Sequence, residues 1–320
     1  LQKREETAIS RTSTVSASRI IDPAKSDYEP FKPNKVNIML IGFALGLFLP
    51  WVYIYLKEAL NVKILSKEDV LKYSKVTVLG EIGNAGQGKS LVVEKNSRTI
   101  LAEQFRALRT NLHFVQNNEQ SSVIMITSSM SGEGKSFVAL NLASVLGLGG
   151  KRVVMVELDL RKPKLSANID IDHSYGFTEY AVSSSIQFSD IIKSTDVSED
   201  VYLISAGRIP PNPSELLLSD RLGELIIELK KDFDYIIIDS APIGLVSDAQ
   251  LIEKYVDLSL YIVRRGYTYK TQLNILNDLV ATQKFKRSYI VINDIKQNQA
   301  GYGYSGKYGY GSGYGQDDVK

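Results

Sequence analysis

Val123-Ile124-Met125-Ile126 runs directly into Thr127–Ser136 (TSSMSGEGKS), and Phe137–Leu146 continues with apolar residues at helical spacing. A strand that delivers a Gly-containing turn, with a helix opening at its end, aims free backbone N–H groups and a helix dipole at one point. That is a phosphate cradle, and it sets the fold as strand–loop–helix. The pattern G-x-x-x-x-G-K-[ST] fits at Ser129–Ser136 with Ser in place of the first Gly. It fits without exception at Gly83–Ser90 (GNAGQGKS), yet LVVEKNSR follows there, which reads as a strand and a turn with no helix. Context therefore selects Thr127–Ser136, and Gly83–Ser90 is read as a linker.

Downstream of the loop, short apolar runs alternate with helix-period stretches. The runs are Val123–Ile126, Val153–Val156, Val201–Ile204, Tyr235–Ile238, Leu258–Val263 and Tyr289–Ile292. They are β-branched and nearly continuous, as expected of parallel strands buried on both faces. Ser136–Leu148, Ser214–Lys230 and Thr271–Gln283 carry the helical period. The alternation predicts an α/β fold with a doubly wound, mostly parallel sheet. Two runs end in acids: Glu157-Leu158-Asp159, whose alternation puts both carboxylates on one side, and Asp239. An Asp after an apolar strand is often only a cap. Three acids at the carboxyl ends of strands in one sheet with a G-K-S loop point instead to magnesium and phosphoryl chemistry.

Upstream, Leu1–Lys35 is polar and ends in a stretch with Pro23, Pro30 and Pro33, an extended connector. Val36–Leu56 (VNIMLIGFALGLFLPWVYIYL) has no ionisable group except tyrosine and is long enough to span a hydrocarbon core, which takes about 20 residues. Trp51, Tyr53 and Tyr55 gather at one edge, where an aromatic belt belongs. Gly42 and Gly46 are spaced as G-x-x-x-G, a weak helix-contact signal. Lysines and arginines flank both ends, so charge bias does not orient the span. At the other end, Gly301–Gln316 (GYGYSGKYGYGSGYGQ) is low-complexity and reads as a flexible tail.

The 320 residues carry 44% hydrophobic and 23% charged side chains, ordinary for a folded protein. A net charge of +2 gives no electrostatic footprint for nucleic acid. The absence of cysteine removes disulfides and thiolate metal sites, and two histidines make a His-based metal site improbable.

With these residues placed, the chain resembles the bacterial tyrosine autokinases (BY-kinases) of the Wzc-like polysaccharide co-polymerases, a MinD/ParA-like branch of the P-loop ATPases. The resemblance rests on Asp22–Leu56, the Val78-Leu79-Gly80-Glu81-Ile82 run, the GEGKS loop and the Leu158–Pro163 segment (LDLRKP). It rests equally on Gly207–Leu217 (GRIPPNPSELL) and Phe233–Pro242 (FDYIIIDSAP).

By that resemblance ATP is the phosphoryl donor and Mg²⁺ the cofactor. Ser131, Gly132, Glu133, Gly134, Lys135, Ser136 and Phe137 would bind the ATP phosphates, with Lys135 on the β/γ-phosphates. Ser136, Asp159 and Asp239 would hold Mg²⁺; Lys135, Glu157, Asp159 and Asp239 would form the catalytic set. The family usually has Asp at position 157, so Glu157 is left between metal ligand and tyrosine base. It also tends to have Pro where Ser131 stands. Asn293 would touch the adenine. Glu103-x-x-Arg106-x-x-Arg109 matches a motif implicated in ring assembly, its spacing placing all three on one helix flank.

The implied organisation is a periplasmic connector 1–35, a transmembrane helix 36–56, a cytosolic linker 57–97, a P-loop kinase domain 98–296 and a Tyr/Gly-rich tail 297–320. The tail tyrosines Tyr302, Tyr304, Tyr308, Tyr310 and Tyr314 are the expected phosphoacceptors. Extended, the tail reaches roughly 60 Å at ~3.3 Å per residue, enough to enter a neighbouring subunit's site. Implied partners are further copies of the chain in a homo-oligomeric ring, membrane lipid, a polysaccharide polymerase or export machinery, and a cognate tyrosine phosphatase. Implied localisation is the bacterial inner membrane with the kinase domain cytosolic. Two other readings stand beside this one: a MinD-like ATPase switch and a co-polymerase scaffold without kinase activity.

Overall fold

The computed structural model describes residues 32, 34–86, 89–116 and 121–296. The tail 297–320, with its five tyrosines, and most of the connector 1–35 lie outside them. The chain divides into two units at Asn61/Val62.

In the first unit, helix α1 spans Lys35–Ala59. Asn34 caps it, its side chain accepting from the Val36 N–H at 3.0 Å. None of its residues is buried, so no described residue of the unit covers this apolar surface. At 1.5 Å per residue it is about 37 Å long, more than a ~30 Å hydrocarbon core needs. Trp51 stacks on Tyr55 with ring centroids 5.9 Å apart, at the aromatic end of the helix.

The second unit is built on one eight-stranded sheet in the order β1-β8-β7-β2-β6-β3-β5-β4. The strands are β1 (Val78–Gly83), β2 (Ser122–Ser128), β3 (Val153–Leu158), β4 (Ile192–Ser194), β5 (Val201–Ile204), β6 (Tyr235–Ser240), β7 (Leu258–Arg264) and β8 (Ser288–Ile295). Every pairing is parallel except that of the short edge strand β4 with β5. The helices are α2 (Lys67–Tyr73), α3 (Ile100–Val115), α4 (Lys135–Gly147), α5 (Phe177–Val182), α6 (Phe188–Ile191), α7 (Pro213–Leu218), α8 (Asp220–Asp232), α9 (Asp248–Ile252) and α10 (Leu273–Ala281). Crossover connections cover both faces of the sheet and form two cores. Val154, Val156, Ile236 and Ile238 face one with α8 and α10; Val153, Met155, Ile237 and Ile124 face the other with α3 and α4. All seven residues of β2 are buried, and eleven of α4. At ~1.5–3 kcal/mol per large apolar side chain, burial anchors this central strand and helix firmly, and the phosphate loop lies between them.

The segment 57–97 is not a linker throughout. From Val62 onward it packs into the second unit, supplying α2 and the edge strand β1, so that unit begins well before residue 98. Gly80, Glu81 and Gly83 interrupt the apolar run and hide the strand from a periodicity reading. Gly80 lets α3 approach closely: a Cβ there would lie 2.9 Å from Leu108 Cδ1 and would have to displace that side chain. After β1, residues 89–97 carry neither helix nor strand and are clipped along α4 by two buried side chains. Asn141 Oδ1 accepts from the N–H groups of Val92 and Val93 at 2.8 and 3.1 Å, and its Nδ2 donates to the Ser90 and Phe137 carbonyls. Ser144 Oγ donates to the Val93 carbonyl at 2.6 Å. Gly83–Ser90, the cleaner motif match, thus opens no helix.

The first residues of this unit pair with the loop after β7. Ile64 N–H donates to the Thr268 carbonyl at 2.9 Å, Gly266 N–H to the Ile64 carbonyl at 2.7 Å and Lys270 N–H to the Val62 carbonyl at 2.8 Å. Arg265 Nε donates to the Leu65 carbonyl at 2.9 Å.

Candidate active site

The loop between β2 and α4 turns on two glycines with positive φ, Gly132 (87°) and Gly134 (97°), a backbone region that side chains disfavour. Gly134 is doubly constrained, because a Cβ on it would collide with the Asn293 amide. The first-turn N–H groups of α4, from Lys135 onward, have no helical partners by geometry and face the loop's concavity. Lys135 and Ser136 open that helix, and Lys135 is buried at 7% exposure.

Loops remote in sequence hold the cradle rigid. Glu133 turns inward, fully buried, and its carboxylate accepts from Ser129 Oγ at 2.9 Å, from Met130 N–H at 2.6 Å and from the Thr268 hydroxyl. Burial raises its pKa, and these donors pull it back. Glu133 can therefore offer phosphate only its backbone N–H. Tyr267 donates from its hydroxyl to the Ser131 carbonyl at 2.9 Å, and Arg264 Nη1 to the Gly132 carbonyl at 2.9 Å. Arg264 Nε in turn pairs with Asp294 at 2.8 Å. Arg264, Tyr267 and Thr268 escape a sequence reading, since only the fold brings the RRGYT stretch onto the loop. Asn293 donates from Nδ2 to the Glu133 carbonyl at 3.0 Å and accepts from the Asp294 N–H, so it braces the loop rather than standing free. It also lines a cavity of about 140 Å³ with Gly132, Gly134, Phe137 and residues 83–86. The first residues of the Gly83–Ser90 match thus border the same cavity as the loop after β2.

The acids sort into different roles. Ile126, Asp239 and Glu157 are in register across β2, β6 and β3. Asp239 Oδ2 accepts from Ser136 Oγ at 2.5 Å, while its Oδ1 is buried with no hydrogen-bond partner. Desolvation pushes the Asp239 carboxyl up to about 7; Lys135 and the Ser136 hydroxyl oppose this, and Glu157 and Asp159 add to it. An orphaned buried carboxylate oxygen beside a serine hydroxyl is a hard-oxygen site of the kind Mg²⁺ uses, in which phosphate oxygens and water complete the shell. No group of three His, Cys, Asp or Glu suited to a metal occurs among the described residues, so an ion here would depend on the nucleotide. Asp159 sits at the rim, one oxygen accepting from the Lys162 N–H at 3.1 Å. Arg161 fixes the same segment through Asp248, at 2.8 Å, and Ser214, at 3.0 Å.

Glu157 is different. Its carboxylate accepts from Leu165 N–H at 2.6 Å, Ser166 N–H at 3.4 Å, Ser166 Oγ at 2.7 Å and Ala206 N–H at 3.2 Å. Both oxygens are occupied by the chain's own donors, which leaves no lone pair aimed at a metal or a tyrosine. Glu157→Gln puts an amide N–H₂ against donors, and loss of about 2–4 kcal/mol is expected from buried unsatisfied groups. Thermal unfolding in detergent measures that loss. A stable Glu157→Gln protein that had lost phosphoryl transfer would instead restore the base role.

Glu103, Arg106 and Arg109 share one flank of α3, but all are engaged within the chain. Glu103 pairs with Arg106, Arg106 Nη2 donates to the Ser97 carbonyl at 2.7 Å, and Arg109 Nη1 donates to the Val145 carbonyl at 2.9 Å near the end of α4.

Comparisons with known proteins agree with this geometry. A model of the CobQ/CobB/MinD/ParA nucleotide-binding domain matches residues 124–303, and a G-rich domain model (GNVR) matches residues 1–59. The chain is 31% identical to tyrosine-protein kinase Wzc of Salmonella typhi, over 97% of this chain and 45% of Wzc. It is 34% identical to tyrosine-protein kinase YwqD of Bacillus subtilis, over 68% of this chain and 92% of YwqD. Relatives of the Wzc size are thus spanned over less than half their length. The solved kinase domain of Escherichia coli tyrosine kinase ETK is 26% identical with a TM-score of 0.67, covering 77% of this chain and 100% of that one. The chimerical protein CapA2B2 matches at 30% identity and a TM-score of 0.67, over 72% and 100%.

Fold and site together define a P-loop nucleotide-binding domain of the MinD/ParA kind. Within that class the chain belongs to the bacterial tyrosine-kinase family, the Wzc-like BY-kinases.

Proposed function

We propose that this chain is an ATP-dependent protein-tyrosine kinase whose substrates are Tyr302, Tyr304, Tyr308, Tyr310 and Tyr314 of neighbouring copies. The observation that carries the reading is the Ser136–Asp239 pair with its orphaned Oδ1, at the mouth of a braced phosphate loop. The N–H groups of Gly132–Phe137 and the Lys135 ammonium hold the triphosphate and stabilise charge on the transferring phosphoryl group. Ser136, Asp239 and Asp159 would hold Mg²⁺, which would supply Lewis-acid neutralisation of phosphate charge. With Glu157 occupied, Asp159 is the acid placed to accept the tyrosine hydroxyl proton through its second oxygen as that hydroxyl attacks in line. The site is carried on α4 and the carboxyl ends of β3 and β6, so these groups are positioned before substrate arrives.

In this reading α1 crosses the inner membrane, the second unit is cytosolic, and copies assemble through the Glu103/Arg106/Arg109 flank. Each phosphotyrosine adds ~1.5–2 negative charges; five such groups overturn the net charge of +2 and drive copies apart. That cycle would regulate polysaccharide polymerisation and export, with a phosphatase resetting it. The test is to incubate the full chain in detergent with ATP and Mg²⁺ and map phosphotyrosine by mass spectrometry. Modification within Tyr302–Tyr314 is expected. ATP hydrolysis with no phosphotyrosine would favour the nucleotide-switch reading, and no nucleotide binding the scaffold.

A further inference from the structure

A large cavity in the second unit is remote from the phosphate loop. It measures about 750 Å³ and opens at the amino ends of β1 and β8, between the segment Leu71–Thr77 and the end of α10. The active site occupies the carboxyl ends of the same sheet, so the two face opposite edges. Four of the lining side chains are cationic, Lys72, Lys75, Lys286 and Arg287, and none is acidic. Lys72 and Lys75 are exposed and pair with no carboxylate among the described residues. Lys286 lies near Glu253, which accepts its backbone N–H at 3.3 Å. Arg287 is committed elsewhere, its guanidinium donating to the Val115 carbonyl.

A second observation is independent of charge. Ser288 lines the cavity, and its hydroxyl is buried without a hydrogen-bond partner. A buried hydroxyl left unmatched costs stability unless an acceptor arrives. The opposite wall is preformed: Asn277 accepts from Ser74 Oγ at 2.7 Å and donates to the Tyr73 carbonyl at 2.8 Å, tying the end of α2 to α10. The cavity therefore offers lysine ammonium groups and an unused hydroxyl on a fixed frame, the complement of a phosphate.

We propose that this cavity binds the phosphate headgroup of an anionic phospholipid. The proposal rests on reading α1 as a membrane span. Leu71 follows the end of α1 by twelve residues, a chain length of at most ~40 Å. The intervening stretch carries exposed apolar side chains, Leu60, Val62, Leu65 and Leu71, interleaved with Lys63, Lys67 and Lys72; Lys67 pairs with Glu81, and the acids Glu68 and Asp69 leave a small positive excess. Basic juxtamembrane segments are drawn to anionic headgroups, and lysine stems lie well along apolar surface. A phosphotyrosine ligand is the weaker match. Its recognition relies on the forked guanidinium of arginine, and the one arginine here is already occupied.

The test uses the full chain in detergent, without nucleotide, so it reads independently of kinase activity. Dioctanoyl phosphatidylglycerol and dioctanoyl phosphatidylcholine are titrated separately, and bound lipid is counted by native mass spectrometry. One phosphatidylglycerol is expected to be held about tenfold or more tighter than phosphatidylcholine. K72E/K75E should lose that preference and K72R/K75R keep it. Ala281→Trp, which fills the cavity without altering charge, should lose it as well. Equal retention of both lipids, or a preference surviving both K72E/K75E and Ala281→Trp, overturns the proposal. Displacement of the lipid by a phosphotyrosine peptide at lower concentration than by glycerol 3-phosphate also overturns it, in favour of a phosphopeptide.

Discussion

Replacing Lys135 with methionine is expected to remove phosphotyrosine from the chain's own tail while leaving the tail a substrate for wild-type copies. The ammonium is buried at the first residue of α4, where it adds a full charge to the partial charge of the helix terminus. Methionine keeps the stem's volume and removes only the charge. Loss of one group that stabilises transferring charge lowers kcat by about 10²–10³. The folded domain should survive, because Lys135 makes no direct ion pair among the described residues, and Asp239, which loses that nearby charge, can answer by holding its proton. Mixing Lys135→Met chains with wild type and ATP, then mapping phosphotyrosine on a mass-tagged Lys135→Met tail, separates transfer between copies from transfer within one. A modified tail in Lys135→Met protein incubated alone would refute the role given to Lys135; an unmodified tail in the mixture would refute transfer between copies.

Asp239→Asn should have an equally large and more unusual effect, since it is expected to stabilise the nucleotide-free protein while abolishing transfer. Burial lifts this carboxyl from its ordinary 3.8 to about 7. The native state then binds the proton more tightly than the unfolded chain does. Its contribution to stability is present at low pH and is lost as pH rises from about 4 to about 7. The difference corresponds to up to about 4 kcal/mol, borne by the wild type at neutral pH for the sake of an ionisable ligand. Denaturant unfolding from pH 4 to 8 should show Asp239→Asn progressively more stable than wild type toward pH 8 and indistinguishable near pH 4. Wild-type Mg²⁺ affinity should rise with pH up to about 7, because the metal competes with the proton, and that rise should vanish in Asp239→Asn. A variant that is less stable at pH 8 would show that Asp239 is held by interactions other than its bond to Ser136.

Local patterns are legible in the sequence. The β2–loop–α4 unit, the buried strand runs and the acids after β3 and β6 follow from periodicity and from what a phosphate needs, and the structure places them together. What stayed hidden depends on contacts between distant residues. Strand β1 is broken by Gly80 and Gly83, whose reason for being there, the approach of Leu108 and Gln104, is visible only in three dimensions. Arg264, Tyr267 and Thr268 look like an ordinary basic turn until the sheet order brings β7 beside β2. Glu157 has the spacing of a catalytic acid, and only the positions of Leu165, Ser166 and Ala206 show that its carboxylate is consumed in holding three segments together. Asn293 reads as a ligand contact, and only the fold shows that its amide also braces the loop at the edge of a cavity it lines.

The hydrogen bonds joining residues 62–65 to the loop 264–270 connect, through Thr268 and Glu133, with the phosphate cradle in a single lattice. Reciprocity governs the two ends of that lattice: the free energy by which attachment of residues 62–65 favours nucleotide binding equals that by which bound nucleotide favours their attachment. Whatever detaches residues 62–65 from the loop therefore acts on nucleotide affinity only to the extent of that shared free energy. The first few residues of the domain are its handle.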